Sequence, residues 1–239
     1  NISKKTGMKI SFLIRGKMVI LQTMITIREF TFNPFAEHTY VLWDDHGQAV
    51  IIDPGCYEKR EEQELADFIS GHKLSVSALW NTHGHIDHVL GNAFVQQQYK
   101  VPFFAHALDV PTMRAVKTYA SNYGFPKYTE ATVDGHLEEG SPVYIGSTPL
   151  AVLFLPGHAP GHIGFYQPEE KFLIGGDVLF YHSIGRTDLP GGNHQTLIQS
   201  IQQQLFPLPD EVTVYPGHGP TTTLGEEKIN NPYCALAIR

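Results

Sequence analysis

The stretch SVSALWNTHGHIDH at 75–88 sets an apolar run ending at Trp80 against a polar segment that carries His83, His85, Asp87 and His88. Residues two apart in an extended chain point the same way, so His83 and His85 can face one ion. A turn after Ile86 would aim Asp87 and His88 at a neighbouring position. Imidazole and carboxylate together suit Zn²⁺, and also Fe or Mn. Any one of these histidines taken alone reads as an ordinary surface or core residue. Four ligand-type side chains within six residues do not.

Working outward, the same grammar of apolar strand, tight turn and candidate ligand recurs in LAVLFLPGH (150–158), KFLIGGD (171–177) and EVTVYPGH (211–218). Glycines at 84, 157, 175, 176 and 217 allow sharp turns beside the ligands. Loops that follow strand ends at one edge of a sheet share a space, where α/β folds place their sites. His158, Asp177 and His218 therefore join the candidate set. Singly, each could be a turn residue or a turn cap. His162 competes with His158 for the same role, and His158 is preferred because it follows its strand directly. The remaining histidines, at 38, 46, 72, 106, 136, 182 and 194, are read as solvent-facing or as supporting residues.

Short apolar runs punctuated by Gly, Pro and Asp predict strands at 25–32, 39–43, 48–52, 75–80, 101–104, 142–145, 150–155, 163–167, 171–174 and 212–215. Helical periodicity predicts helices over 58–72, near 88–99, near 109–122 and over 194–205. No Ser- or Pro-rich linker divides the chain, so residues 24–239 read as one α/β (α+β) domain with two packed sheets and helices outside. Residues 1–23 read as an N-terminal extension, with a first edge strand at 18–22 as the alternative. Their apolar run is broken by Arg15 and Lys17, which fits neither a signal peptide nor a membrane span.

A hydrophobic fraction of 42% and a charged fraction of 17% describe a globular chain. A formal charge of −7 disfavours nucleic acid as a partner. Cys56 and Cys234 stand far apart with no C-x-x-C spacing, so a reducing, cytoplasmic setting is expected rather than a disulfide framework. The expected partner is a small-molecule substrate, with no membrane, and a homodimer is among the assemblies the sequence admits.

The segments THGHIDH (82–88), PGHAPGH (156–162), GGD (175–177) and PGHGP (216–220) resemble the metallo-β-lactamase superfamily. GDVLFYHSIGRTDLPGG (176–192) and PGHGPTTTLGEEKINNP (216–232) resemble its short bacterial glyoxalase II-like hydrolases. The resemblance implies an αββα four-layer sandwich with the site at one edge of the sheets. It implies two divalent ions, Zn²⁺ by preference. His83, His85 and His158 would hold one, Asp87, His88 and His218 the other. Asp177 would bridge them, and a bridging water would be the nucleophile, so catalytic roles fall to Asp87 and Asp177.

Two departures matter. The longer glyoxalase II enzymes carry a helical, glutathione-binding C-terminal region, and this chain ends at Arg239 without it. They also place a Lys and an aromatic where Arg186 and Asp188 stand here. Arg186 is open to two readings, contact with a substrate carboxylate or a structural pair with Asp188. The function expected is hydrolysis of an acyl-thioester, S-D-lactoylglutathione or a related compound. The rival readings are a mononuclear Fe(II) persulfide dioxygenase, suggested by the Gly185–Asp188 run, and a non-catalytic metal-binding domain. β-Lactam hydrolysis and RNA processing fit the sequence less well.

Overall fold

The structure is a computed structural model that describes residues 11–14, 17–20 and 24–236. β1 (Ser11–Ile14) and β2 (Lys17–Ile20) pair antiparallel with each other, separately from the other sheets. The alternative strand at 18–22 overlaps β2, which pairs with β1. The rest of the extension lies outside the described residues.

The first large sheet contains β3 (Thr26–Phe32), β4 (Glu37–Trp43), β5 (Gln48–Ile52), β6 (Ser75–Trp80), β7 (Phe103–Ala105) and β8 (Gly135–His136), in that spatial order. Between these strands run α1 (Lys59–Gly71), α2 (Ile86–Val89), α3 (Asn92–Tyr99) and α4 (Val110–Tyr119). The second half supplies β9 (Val143–Ile145), β10 (Thr148–Phe154), β11 (Ile163–Gln167), β12 (Phe172–Gly176), the small hairpin β13 (Leu179–Phe180) and β14 (Ser183–Ile184), and α5 (His194–Ser200). β15 (Thr213–Pro216), β16 (Thr222–Thr223) and α6 (Leu224–Asn230) complete it. The second large sheet has the order β16-β15-β12-β11-β10-β9.

Strand alternation explains the layers. Tyr40 and Leu42 of β4, and Val50 and Ile52 of β5, point to one side. There they meet Val152, Phe165, Phe172 and Ile174 of the second sheet, with Trp80 stacked on Phe165 at 5.1 Å. Val41 and Ile51 point the other way, onto Leu65 and Ile69 of α1 and Val95 of α3. Leu173 and Val214 do the same beneath Leu197 of α5 and Leu224 of α6. Burying each such side chain contributes roughly 1.5–3 kcal/mol. The expected αββα four-layer sandwich is therefore the observed fold.

The helices deviate from their predicted spans for local reasons. The run near 88–99 splits into α2 and α3, because the Gly91 amide leaves the helical ladder to donate to the Pro54 carbonyl at 2.7 Å. The helix predicted over 194–205 is α-helical to Ser200 and continues as a π turn over Ile201–Leu205. Leu197, Ile201 and Leu205 still share its buried face.

Both sheets end at one rim. β5 and β6 run parallel with Ile52 opposite Trp80, so Asp53 and the segment Asn81–His83 leave the first sheet together. β12 and β15 run parallel with Ile174 opposite Tyr215, so Asp177 and His218 leave the second sheet together. The β10–β11 connection, closed by the pair Phe154–Ile163, carries His158 to the same rim.

Candidate metal centre

The seven candidate ligands converge. Ligand atoms of His83, His85 and His158 form one group within 4.8 Å of each other, and those of Asp87, His88 and His218 form another. His158 Nε2 stands 2.7 Å from His85 Nδ1 and 3.3 Å from His83 Nε2. His218 Nε2 lies 3.1 Å from Asp87 Oδ2. Asp177 sits between the groups, with Oδ1 3.4 Å from His88 Nε2 and Oδ2 3.6 Å and 3.5 Å from the Nε2 atoms of His158 and His218.

Four of the imidazoles are oriented through their other nitrogen, whereas His85 turns its Nδ1 toward His158 Nε2. His83 Nδ1 meets Thr82 Oγ1 at 3.0 Å, and that hydroxyl donates to Asp53 at 2.5 Å. His88 Nδ1 faces Asp53 Oδ2 at 3.1 Å. His158 Nδ1 faces the Arg186 carbonyl at 2.7 Å, and His218 Nδ1 the Phe35 carbonyl at 3.2 Å. In each of the four the outer nitrogen donates its proton, so that the neutral ring turns its Nε2 lone pair to the centre, the arrangement metal-ligating histidines adopt. Gly217 is required at its position, because any Cβ there would run into Asp177 Oδ1 and the His88 ring.

The two groups differ electrostatically. Burial, reinforced by the neighbouring histidines, holds His83 far below the imidazole range. Burial and His158 hold His85 at about 3, and burial lowers His158 despite Asp177. This trio offers neutral lone pairs. Burial also opposes the charged form of His88, but Asp177 and Asp87 outweigh it and raise its pKa well above the ordinary value. His218 is raised in the same way by its bond to Asp87 and by Asp177. Burial acts to raise Asp87 and Asp177, but His88 outweighs it and both stay low.

The donors fit divalent cations. His88 Nε2 and Asp177 Oδ1 are buried without a hydrogen-bond partner among the described residues. Leaving such atoms unpaired costs ~1–3 kcal/mol each, more for charged groups, and a bound cation would satisfy both. Histidine nitrogen with carboxylate oxygen is the donor set of Zn²⁺ and of Fe.

His162 takes a supporting place. Its ring stacks on His83 at 4.8 Å, and its Nε2 accepts the Asp177 backbone N–H at 3.0 Å. Three supporting residues carried no functional reading from sequence. Asp53 accepts from Asn81 Nδ2, Thr82 N and Thr82 Oγ1 and faces His88. Its segment VIIDPG follows the grammar of apolar strand, polar residue and tight turn, and that signal could have found it. Glu37 is fully buried, with Oε1 3.8 Å from His88 Nδ1. Asp109 accepts the Gly84 amide at 2.7 Å and the Gly161 amide at 2.6 Å, tying the His83–His85 loop to the His158–His162 loop. Burial pushes its pKa up to about 6.

Asp109→Asn would turn an NH₂ donor toward a backbone N–H. Such supporting contacts are worth about 10–100-fold in metal affinity, and that loss is the expected result in a chelator-competition titration. Affinity within twofold of the parent protein would refute the role.

Above the ligands opens a cleft of about 870 Å³, with His85, Asp87, His158, Asp177 and His218 along its floor. At its rim, Arg186 is paired to Asp188 through Nε and Nη2 at 2.7 Å and 2.8 Å. Cys56 and Cys234 are both free and buried. Among the described residues no helix is long and apolar enough to cross a membrane.

The profile of the metallo-beta-lactamase superfamily matches residues 32–218. The hydroxyacylglutathione hydrolase GloC of Haemophilus influenzae is 37% identical over 201 residues, covering 83% of this chain and 93% of its own. The crystal structure of BLEG-1 B3 metallo-beta-lactamase superposes with a TM-score of 0.78 at 34% identity, covering 87% of this chain and 99% of that one. TTHA1623, crystallised in a di-iron-bound form, gives 0.74 at 38% identity, with 86% and 99% covered. Two sheets, one rim of converging histidines and aspartates, and a profile spanning most of the fold lead to one assignment: this chain belongs to the metallo-beta-lactamase superfamily.

Proposed function

We propose that the protein is an acyl-thioester hydrolase that works with two divalent ions, Zn²⁺ by preference and Fe or Mn otherwise. His83, His85 and His158 would hold one ion, Asp87, His88 and His218 the other, with Asp177 between them. The observation that carries this reading is a pair of adjacent donor groups with Asp177 between them at the floor of an open cleft. A structural zinc site is closed by four protein ligands, whereas seven ligands over two ions leave positions for substrate.

When bound, the ions supply Lewis acidity, bringing the pKa of water from ~15.7 toward ~7 and polarising the carbonyl. The chain's own residues do the rest. Asp87 and Asp177 stay ionised and would hold the cations. Thr82 Oγ1 and the carbonyls of Arg186 and Phe35 fix the tautomers of His83, His158 and His218. Water adds to the thioester carbonyl, the C–S bond breaks, and the thiolate leaves with the electron pair while the water's proton passes to solvent. Thiols have pKa near ~8.5, so the leaving group needs no protonation and no dedicated general acid is required.

The substrate is a small molecule, with neither nucleic acid nor membrane involved, and the buried free cysteines fit a cytoplasmic setting. The test is elemental analysis paired with an acyl-thioester assay that includes S-D-lactoylglutathione. About two Zn per chain with turnover is the expected result. Failure of the metal-loaded protein on every acyl-thioester would sink the reading. About one Fe per chain, with O₂ uptake on glutathione persulfide, would replace it with the dioxygenase.

A further inference from the structure

The cleft over the ligands has walls of a different character from its floor. On one side stand Tyr119 at the end of α4, Tyr123 in the following turn and Phe35 from the β3–β4 connection. They form a continuous aromatic surface, with Tyr119 and Tyr123 at 5.6 Å and Phe35 and Tyr123 at 6.4 Å between ring centroids. Phe180, Ile184 and Leu189 add to the apolar lining. Phe35 and Tyr123 are 42% and 56% exposed beside the ligand floor, an unusual place for large apolar rings unless they meet a ligand. Burial raises the Tyr119 phenol, so that hydroxyl stays uncharged at neutral pH.

The charge on the lining excludes much. Arg186 is the only Lys or Arg among the described residues that line the cleft, and both carboxylate oxygens of Asp188 already engage its guanidinium. Glutathione carries two carboxylates, and a nucleotide-bearing thiol carries phosphates. Anionic groups of either kind are recognised by clusters of Arg or Lys, and among the described lining residues Arg186 stands alone and already shares its guanidinium with Asp188. The volume, by contrast, lies within the ~300–1,000 Å³ of sites that enclose drug-sized, mostly apolar ligands.

Building on the thioester-hydrolase reading, we propose that the preferred substrates carry an uncharged, apolar or aromatic group in this cleft, and that Tyr123, with Tyr119 and Phe35, sets that specificity. An anionic carrier such as glutathione is tolerated rather than recognised.

The test uses the zinc-loaded full chain and thioesters of N-acetylcysteamine, a neutral thiol, beside the matching glutathione thioesters. The phenylacetyl ester of the neutral thiol is expected to exceed its acetyl ester in kcat/KM by about tenfold or more, the discrimination apolar pockets give for added apolar bulk. It should also exceed phenylacetyl-glutathione. Tyr123→Ala is expected to shrink the phenylacetyl-to-acetyl ratio by about tenfold. A faster rate on the glutathione thioester of the same acyl group, or a ratio unmoved by the variant, overturns the proposal.

Calorimetric binding of two uncleavable thioethers, S-benzyl-N-acetylcysteamine and S-benzylglutathione, provides a readout free of turnover. Tighter binding of the neutral thioether, weakened by Tyr123→Ala, supports the specificity assignment even if no thioester is cleaved, in which case only the hydrolase reading fails. Tighter binding of the glutathione thioether overturns the assignment whatever the turnover.

Discussion

Asp177→Asn is expected to cut hydrolysis by about 10²–10³-fold, the scale of losing one preorganised electrostatic group, while leaving the fold in place. The reason is position. The Asp177 oxygens face the Nε2 atoms of His88, His158 and His218 at 3.4–3.6 Å, so a single carboxylate serves both donor groups. Asparagine keeps the shape but removes the charge, and it can turn an NH₂ toward nitrogens that themselves need a partner. His88 keeps Asp53 at 3.1 Å and Asp87 at 3.8 Å, so its protonated ring is not stranded in the metal-free protein. Far-UV circular dichroism should therefore match the parent while bound metal and turnover fall together. Asp87→Asn provides the contrast. Asp87 reaches His218 and His88, and its removal should weaken the second ion and spare the one held by the three histidines. Full metal content and near-normal turnover in Asp177→Asn would show that Asp177 is not the shared ligand.

The placement of Asp177 shows what local sequence can and cannot carry. Its segment KFLIGGD is one of four that announce themselves by an apolar run, a tight turn and a ligand-type residue, each a local pattern. The sandwich follows from the same runs, because the runs in 48–52 and 171–174 are continuously apolar, as strands covered by a sheet on one face and by helices on the other must be. What stayed hidden depends on contacts between distant segments. Asp53 becomes the acceptor for Thr82 and the partner of His88 only because β5 and β6 pair parallel with Ile52 beside Trp80. Asp109 gains its role from two amides, Gly84 and Gly161, far from it and from each other in sequence. The preference for His158 over His162 rested on adjacency to a strand, and the geometry puts His158 Nε2 among the other ligand atoms while His162 braces the Asp177 backbone. α6 was missed for another reason. Seven residues are too few to display a period, although Thr223 followed by Glu226 was a readable start signal, and the Thr223 hydroxyl does accept the Glu226 amide.

The opposite electrostatics of the two donor groups lead to the second large expectation, that acidification removes the two ions in sequence. A metal ion competes with protons for its ligands. His83, His85 and His158 have pKa values pushed below the ordinary imidazole range of ~6.5. They take up protons less readily than an ordinary imidazole, so less proton competition reaches that ion. His88 and His218 have raised pKa values, so in the metal-free protein they hold protons near neutrality that an arriving ion must displace. Each displaced proton weakens binding by about tenfold for every pH unit below the folded-state pKa, and the two together by up to about a hundredfold. Zinc-loaded protein dialysed at pH 8, 7, 6 and 5.5 should therefore pass from about two ions to about one before losing the last. Calorimetry in buffers of different ionisation enthalpy should register proton release for the weaker ion and little for the stronger. His85→Ala should abolish the acid-resistant ion and leave only the pH-sensitive one. Loss of both ions in a single step, or earlier loss of the ion held by the three histidines, would mean that the aspartates around His88 and His218 do not set the order of release.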